Sequence, residues 1–136
     1  MGEPVFFYGT LMTGFNRRLR IGIDAKLKYV GRGSIEAMLF DLGIYPAAVP
    51  GEGRVWGELF ETDEPEAVLA ALDSIEGYRP DDLARSLYTR AQAPVTLSDG
   101  RSLEAWVYFY NAPLGQASQI PSGDYIQYLE KDRREK

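Results

Sequence analysis

The chain has 136 residues, of which 45% are hydrophobic, 26% charged and 12% aromatic. A chain of this length removes roughly 70% of its unfolded surface from water on folding, so it can hold a core, and its composition lies outside the disordered regime. Against 20 acidic residues there are 15 lysines and arginines, a net charge of −5 that has the wrong sign for tracking a phosphate backbone. Nucleic acid is therefore not an expected partner.

The aromatic run Val5-Phe6-Phe7-Tyr8 predicts a buried first strand that breaks at Gly9 into a tight turn. The missing Cβ of Gly9 lets the N–H groups of the following residues approach a ligand, so Gly9, Thr10 and Leu11 form a candidate cradle for a carboxylate or an oxyanion. Residues 16–23 predict a short helix with Arg17, Arg18 and Arg20 facing outward. Strands are predicted over residues 26–35, 38–42, 55–61, 88–97 and 103–110, with Ser98-Asp99-Gly100-Arg101 as a hairpin turn between the last two. Gln119 to Tyr125 reads as a loop available to cover a site, followed by a short helix and a solvated tail from Lys131 to Lys136. With no repeat or linker, residues 1–136 are expected to form a single domain whose tail, from about residue 124, is partly helical or flexible.

One segment is strongly helical. Asp63 with Glu66 imitates a capping box, Pro65 suits a first turn, and Gly77 ends the run. On a wheel of about 100° per residue, Val68, Leu69, Leu72 and Ile75 make one apolar stripe, and Glu76 falls between Leu69 and Leu72 inside it. A carboxylate there is opposed as an anion by desolvation and by the negative end of the helix dipole, so its pKa is expected to rise. That suits a group that takes and returns protons near neutral pH. The plainer alternative has Glu76 reach past the stripe edge to solvent or an arginine.

The chain contains no histidine and no cysteine. The usual neutral-pH base, the strongest nucleophile and the soft metal ligands are thus missing, and chemistry falls to carboxylates, hydroxyls, amines and backbone N–H groups. No metal site is expected, because Glu61, Asp63, Glu64 and Glu66 crowd at a helix start, where acidic residues complement the dipole. Zero cysteines fit a cytoplasmic location, and the residues from Met1 to Tyr8 lack the basic region of a signal peptide and the length of a membrane span. Tyr8, Tyr45, Tyr78, Tyr88 and Tyr110 are candidate phenol donors, Tyr110 foremost, although strand tyrosines more often pack with their hydroxyls at a rim. Arg90 is a candidate to orient a carboxylate, with surface pairing as the commoner role in such a strand.

Taken in order, Val5-Phe6-Phe7-Tyr8-Gly9-Thr10-Leu11, Tyr45-Pro46-Ala47, Val55-Trp56-Gly57-Glu58-Leu59-Phe60, Leu72-Asp73-Ser74-Ile75-Glu76-Gly77-Tyr78, Tyr88-Thr89-Arg90 and Ala105-Trp106-Val107-Tyr108-Phe109-Tyr110 resemble the γ-glutamylcyclotransferase-like family. The nearest branch is the one that includes γ-glutamylamine cyclotransferase. The resemblance implies an α+β fold: a small mixed β-barrel-like sheet with one principal helix, short flanking helices and a cavity at one end. It implies a reaction without a cofactor, in which the α-amino group of a small γ-glutamyl substrate attacks its own γ-carbonyl, releasing an amine or amino acid and closing 5-oxoproline. Glu76 stands at the family's catalytic glutamate and Tyr8, Gly9, Thr10 and Leu11 at its substrate loop, with Tyr45 and Tyr110 as further substrate-binding candidates. Residues 79–87 are longer and more charged than the matching link of the amine-specific branch, which leaves the leaving group open. The competing expectation is a non-catalytic domain that binds a small carboxylate on the same fold.

Overall fold

The computed structural model describes residues 2–43 and 45–135, with side chains for all of these except 132–135. The aromatic run forms strand β1 (Glu3–Phe7), in which Val5, Phe6 and Phe7 are buried. Helix α1 (Arg17–Arg20), a 3-10 turn (Asp24–Lys26) and strands β2 (Lys28–Ile35), β3 (Met38–Asp41), β4 (Pro46–Val49) and β5 (Val55–Thr62) follow. Then come helix α2 (Pro65–Glu76), a second 3-10 turn (Leu83–Arg85), β6 (Tyr88–Leu97), β7 (Ser102–Tyr110), β8 (Ser118–Gln119) and helix α3 (Tyr125–Glu135).

Five strands close into a barrel in the order β1-β5-β2-β6-β7. Neighbours are antiparallel except at the seam, where Val5 of β1 pairs in parallel with Trp106 of β7, so the sheet is mixed and has no open edge. Inward residues Val5, Val55, Leu59, Val95 and Val107 share the fully buried core with Val68 and Leu72 of α2. The turn after β6 is the expected hairpin: Leu97 N–H donates to the Arg101 carbonyl at 2.7 Å, with Gly100 at φ 93°. A second sheet of order β4-β3-β8 is built on β3. Among the described residues, no helix is long and apolar enough to cross a membrane.

α2 buries Val68, Leu69 and Leu72, as its periodicity requires. Pro65 opens it, and Gly77 closes it at φ 66°, a left-handed conformation that glycine takes without strain. The expected capping box does not form. Glu64 holds the cap position, one residue later than Asp63, and no side chain caps the first turn; the Thr62 hydroxyl instead accepts the Glu64 N–H at 2.9 Å.

The segment expected to cover the site is used elsewhere. Ser118 and Gln119 pair with Asp41 and Phe40, the Ile120 N–H donates to the Leu39 carbonyl at 2.8 Å, and the Gly123 carbonyl accepts the Trp56 N–H at 2.8 Å. These bonds pin residues 118–123 to β3 and β5. The expected helix over 16–23 is helical only at Arg17–Arg20. Lys131 is exposed, and Lys136, the last residue of the expected tail, lies outside the described residues.

Candidate active site

Where β1 breaks, the chain opens a cleft of about 550 Å³, mouth included. Its walls come from Phe6 and Phe7 of β1, the loop Tyr8 to Leu11, Arg17 of α1, Tyr45 and Pro46, Ile75 and Glu76 of α2, Leu87 and Tyr88, and Tyr108 of β7. The structure therefore gathers Tyr8, Gly9, Thr10, Leu11, Tyr45 and Glu76 around one space. Tyr110 is not among the lining residues. It lies two residues beyond Tyr108 on β7, opposite Tyr88 in the ladder, and its ring packs edge-on against Tyr88 at 5.2 Å.

Glu76 closes α2 beside this space. Burial pushes its carboxyl from 4.5 up to about 7, and the nearby positive charge of Arg17 pulls in the opposite direction. At neutral pH both of its protonation states are thus well populated. The tyrosines around it have their phenols pushed upward, chiefly by burial, and stay protonated.

Those phenols are mostly committed to the scaffold. Tyr8 donates to the Tyr108 carbonyl at 2.6 Å and accepts the Ala48 N–H at 3.3 Å, while Tyr88 donates to the Pro46 carbonyl at 3.0 Å. The two hydroxyls hang the start of β4 over the cleft. Gly9 meets the same strand: a Cβ there would sit 2.8 Å from Pro46 Cγ, so only glycine lets loop and proline touch. The loop is closed by the Met12 N–H donating to the Gly9 carbonyl at 3.0 Å. Among the described residues, the N–H groups of Gly9, Thr10 and Leu11 have no acceptor. Three uncommitted amides on a cleft wall suit an anion or a developing oxyanion.

Three arginines differ from their sequence-based expectation: Arg17, Arg18 and Arg90. Arg18 is half-buried, with its guanidinium 4.5 Å over the Phe60 ring and its Nη1 donating to the Leu11 carbonyl at 2.7 Å, so that of the three arginines expected to face outward only Arg20 is exposed. Arg17 does not face outward: its Nη1 donates to Thr10 Oγ1 at 2.7 Å and its guanidinium lies 5.0 Å over the Tyr45 ring, at the cleft wall. The only hint in the sequence is that no acidic residue stands within four positions of it. Arg90 is not a surface residue either. It is held between the rings of Tyr78 and Trp106, at 5.4 and 4.8 Å, with Nε 3.2 Å from Asp73 Oδ1 in an ion pair that lacks hydrogen-bond alignment. The same Asp73 oxygen accepts the Tyr108 hydroxyl at 2.5 Å. Tyr108 and Leu87, which the sequence does not single out, join the lining because of where β7 and the end of the 79–87 link meet α2.

Comparison with known proteins agrees with this arrangement. A model of the gamma-glutamyl cyclotransferase, AIG2-like family matches residues 5–127. The chain belongs to that family. It is 39% identical over 88 residues to the Escherichia coli protein named gamma-glutamylcyclotransferase family protein YtfP, covering 65% of this chain and 66% of that one. A Methanocaldococcus jannaschii protein, provisionally named a gamma-glutamylcyclotransferase, is 34% identical over 130 residues, 93% of this chain and 98% of its own. The crystal structure of a mouse AIG2-like protein superposes with a TM-score of 0.69 at 26% identity, covering 91% of this chain and 88% of that one.

Proposed function

We propose that the protein is a cofactor-free γ-glutamyl cyclotransferase that converts a γ-glutamyl amine or γ-glutamyl amino acid to 5-oxoproline, with Glu76 as the single proton-transfer group. The Glu76 carboxylate takes a proton from the substrate α-ammonium, and the freed amine attacks the γ-carbonyl carbon of the same molecule. The tetrahedral oxyanion is met by the amides of Gly9 to Leu11. After attack the ring nitrogen still carries two hydrogens and a positive charge. As the C–N bond to the leaving group breaks, the Glu76 carboxylic acid gives its proton to the departing nitrogen. The carboxylate so formed takes the second proton from the ring nitrogen and passes it to the released amine, which leaves as an ammonium, so two protons move between the nitrogens and the carboxylate is regenerated. Attack within one molecule already has a high effective concentration, which leaves folding the substrate into reach as the main task of the walls.

The observation that carries this reading is one carboxyl with a pKa of about 7 on the same cleft as three uncommitted backbone N–H groups. A base and acid in one residue needs a pKa near the working pH. The test is incubation with a panel of γ-glutamyl amines and γ-glutamyl amino acids, with 5-oxoproline followed by mass spectrometry. Formation of 5-oxoproline from at least one member supports the reaction. Tight binding of 5-oxoproline with no turnover of any member would instead favour the small-carboxylate-binding domain.

A further inference from the structure

Three arginines among the described side chains are half-buried: Arg17, Arg18 and Arg90. Two of them face carboxylates. Arg18 has Asp24 at 2.9 Å and Glu58 at 3.9 Å, and it also donates to the Leu11 carbonyl at 2.7 Å. Arg90 has Asp73 at 3.2 Å. Arg17 has no carboxylate within 4.0 Å among the described residues; its contacts are the Thr10 hydroxyl and the Tyr45 ring. Glu76 shares the cleft but forms no ion pair with it. A guanidinium offers five N–H donors, and the Thr10 bond uses one.

Arg17 and Glu76 feel each other's charge across the cleft, but with no carboxylate in ion-pair reach the half-buried guanidinium is left under-compensated, a cost that a ligand anion removes. Arg17 is also pre-set for that purpose. The hydroxyl of Thr10 fixes Nη1 and the Tyr45 ring sets the plane, which leaves the Nε and Nη2 edge as a fork for a carboxylate. We propose that Arg17 is the carboxylate-recognition residue of the cleft, selecting substrates by the α-carboxylate of the γ-glutamyl group. This assignment rests on the reaction proposed above. The α-carbon carries both that carboxylate and the nucleophilic amine, so a fork on the first orients the second. Bonding Arg17 to Thr10 places the fork beside the amide cradle, and the same residue distinguishes a γ-glutamyl group from an otherwise similar amide without a carboxylate.

The test is calorimetric binding of 5-oxoproline and of 2-pyrrolidinone, the same lactam without its carboxylate, to the wild-type protein, Arg17→Met and Arg17→Lys. The wild type is expected to prefer 5-oxoproline. Arg17→Met should weaken 5-oxoproline by roughly 10- to 100-fold and leave 2-pyrrolidinone within about twofold, with Arg17→Lys between, because it keeps the charge and loses the fork. Unchanged 5-oxoproline affinity in Arg17→Met overturns the assignment. So does an equal loss of both lactams, which would make Arg17 a brace for the loop, and so does a wild type with no preference for 5-oxoproline, binding of neither lactam included. The expected pattern in a protein that forms no 5-oxoproline supports Arg17 and contradicts the reaction, so the two claims fail separately.

Discussion

At Glu76 one residue links stability to chemistry. Its carboxyl titrates at about 7 in the fold against 4.5 for an ordinary glutamate, so between those values the folded chain binds a proton that the unfolded chain has released. The stabilisation from this group is fully present below about pH 4.5, is lost as pH rises to about 7, and is constant above it. Denaturant titrations across this window should show unfolding free energy falling by on the order of 3 kcal/mol in the wild type relative to Glu76→Gln. Parallel curves for the two proteins would contradict it. For the proposed reaction, kcat/KM should rise with pH through about 7, as the base form is populated. Tyr8 is a different kind of residue: its hydroxyl bonds the Tyr108 carbonyl and the Ala48 N–H inside the core. Tyr8→Phe leaves both groups buried and unpaired, and should cost about 1–3 kcal/mol in urea unfolding. An equally stable Tyr8→Phe variant would show that water replaces the phenol.

Among the elements, the last turn of α2 decides where Glu76 points, and Asp73 fixes that turn. The two are three residues apart, neighbours on the helix surface. Asp73 accepts the Tyr108 hydroxyl from β7 and faces Arg90 from β6, so both strands hold the helix end at the cleft. Asp73→Asn keeps the shape but removes the charge that faces the half-buried Arg90 guanidinium. Stability should drop by about 1–3 kcal/mol, and kcat for the proposed reaction should fall more than KM rises. Full kcat in a folded Asp73→Asn protein would mean that Glu76 is aimed by its own helix alone. On the opposite wall, Tyr8, Tyr88 and Gly9 bring β4 against the loop, so both walls are set by contacts from outside their own segments.

For the whole molecule, the barrel explains what the sequence reveals and what it conceals. β5, β6 and β7 are legible because inward and outward residues differ along them, and α2 because a 3.6-residue period puts Leu69, Leu72 and Glu76 on one side. β4 and β8 are not legible: Pro46-Ala47-Ala48-Val49 is short and opens with proline, and Ser118 and Gln119 are two exposed residues that pair only because β3 offers an edge. Arg17 is concealed for another reason. A four-residue helix has too little periodicity to aim a long side chain, and its direction is set by Thr10 and Tyr45. Tyr108 and Tyr110 share a face of β7, so sequence parity cannot say which one reaches the cleft; the end of the ladder at Tyr88 decides. The central claim, that one desolvated carboxyl performs the proton transfers, is tested most directly by comparing Glu76→Gln with the wild type for 5-oxoproline formation and melting temperature on the same samples. The account predicts turnover lower by roughly 10²- to 10⁴-fold with a melting temperature equal to or above that of the wild type. A Glu76→Gln protein that turns over normally, or one that is inactive because it no longer folds, would contradict it.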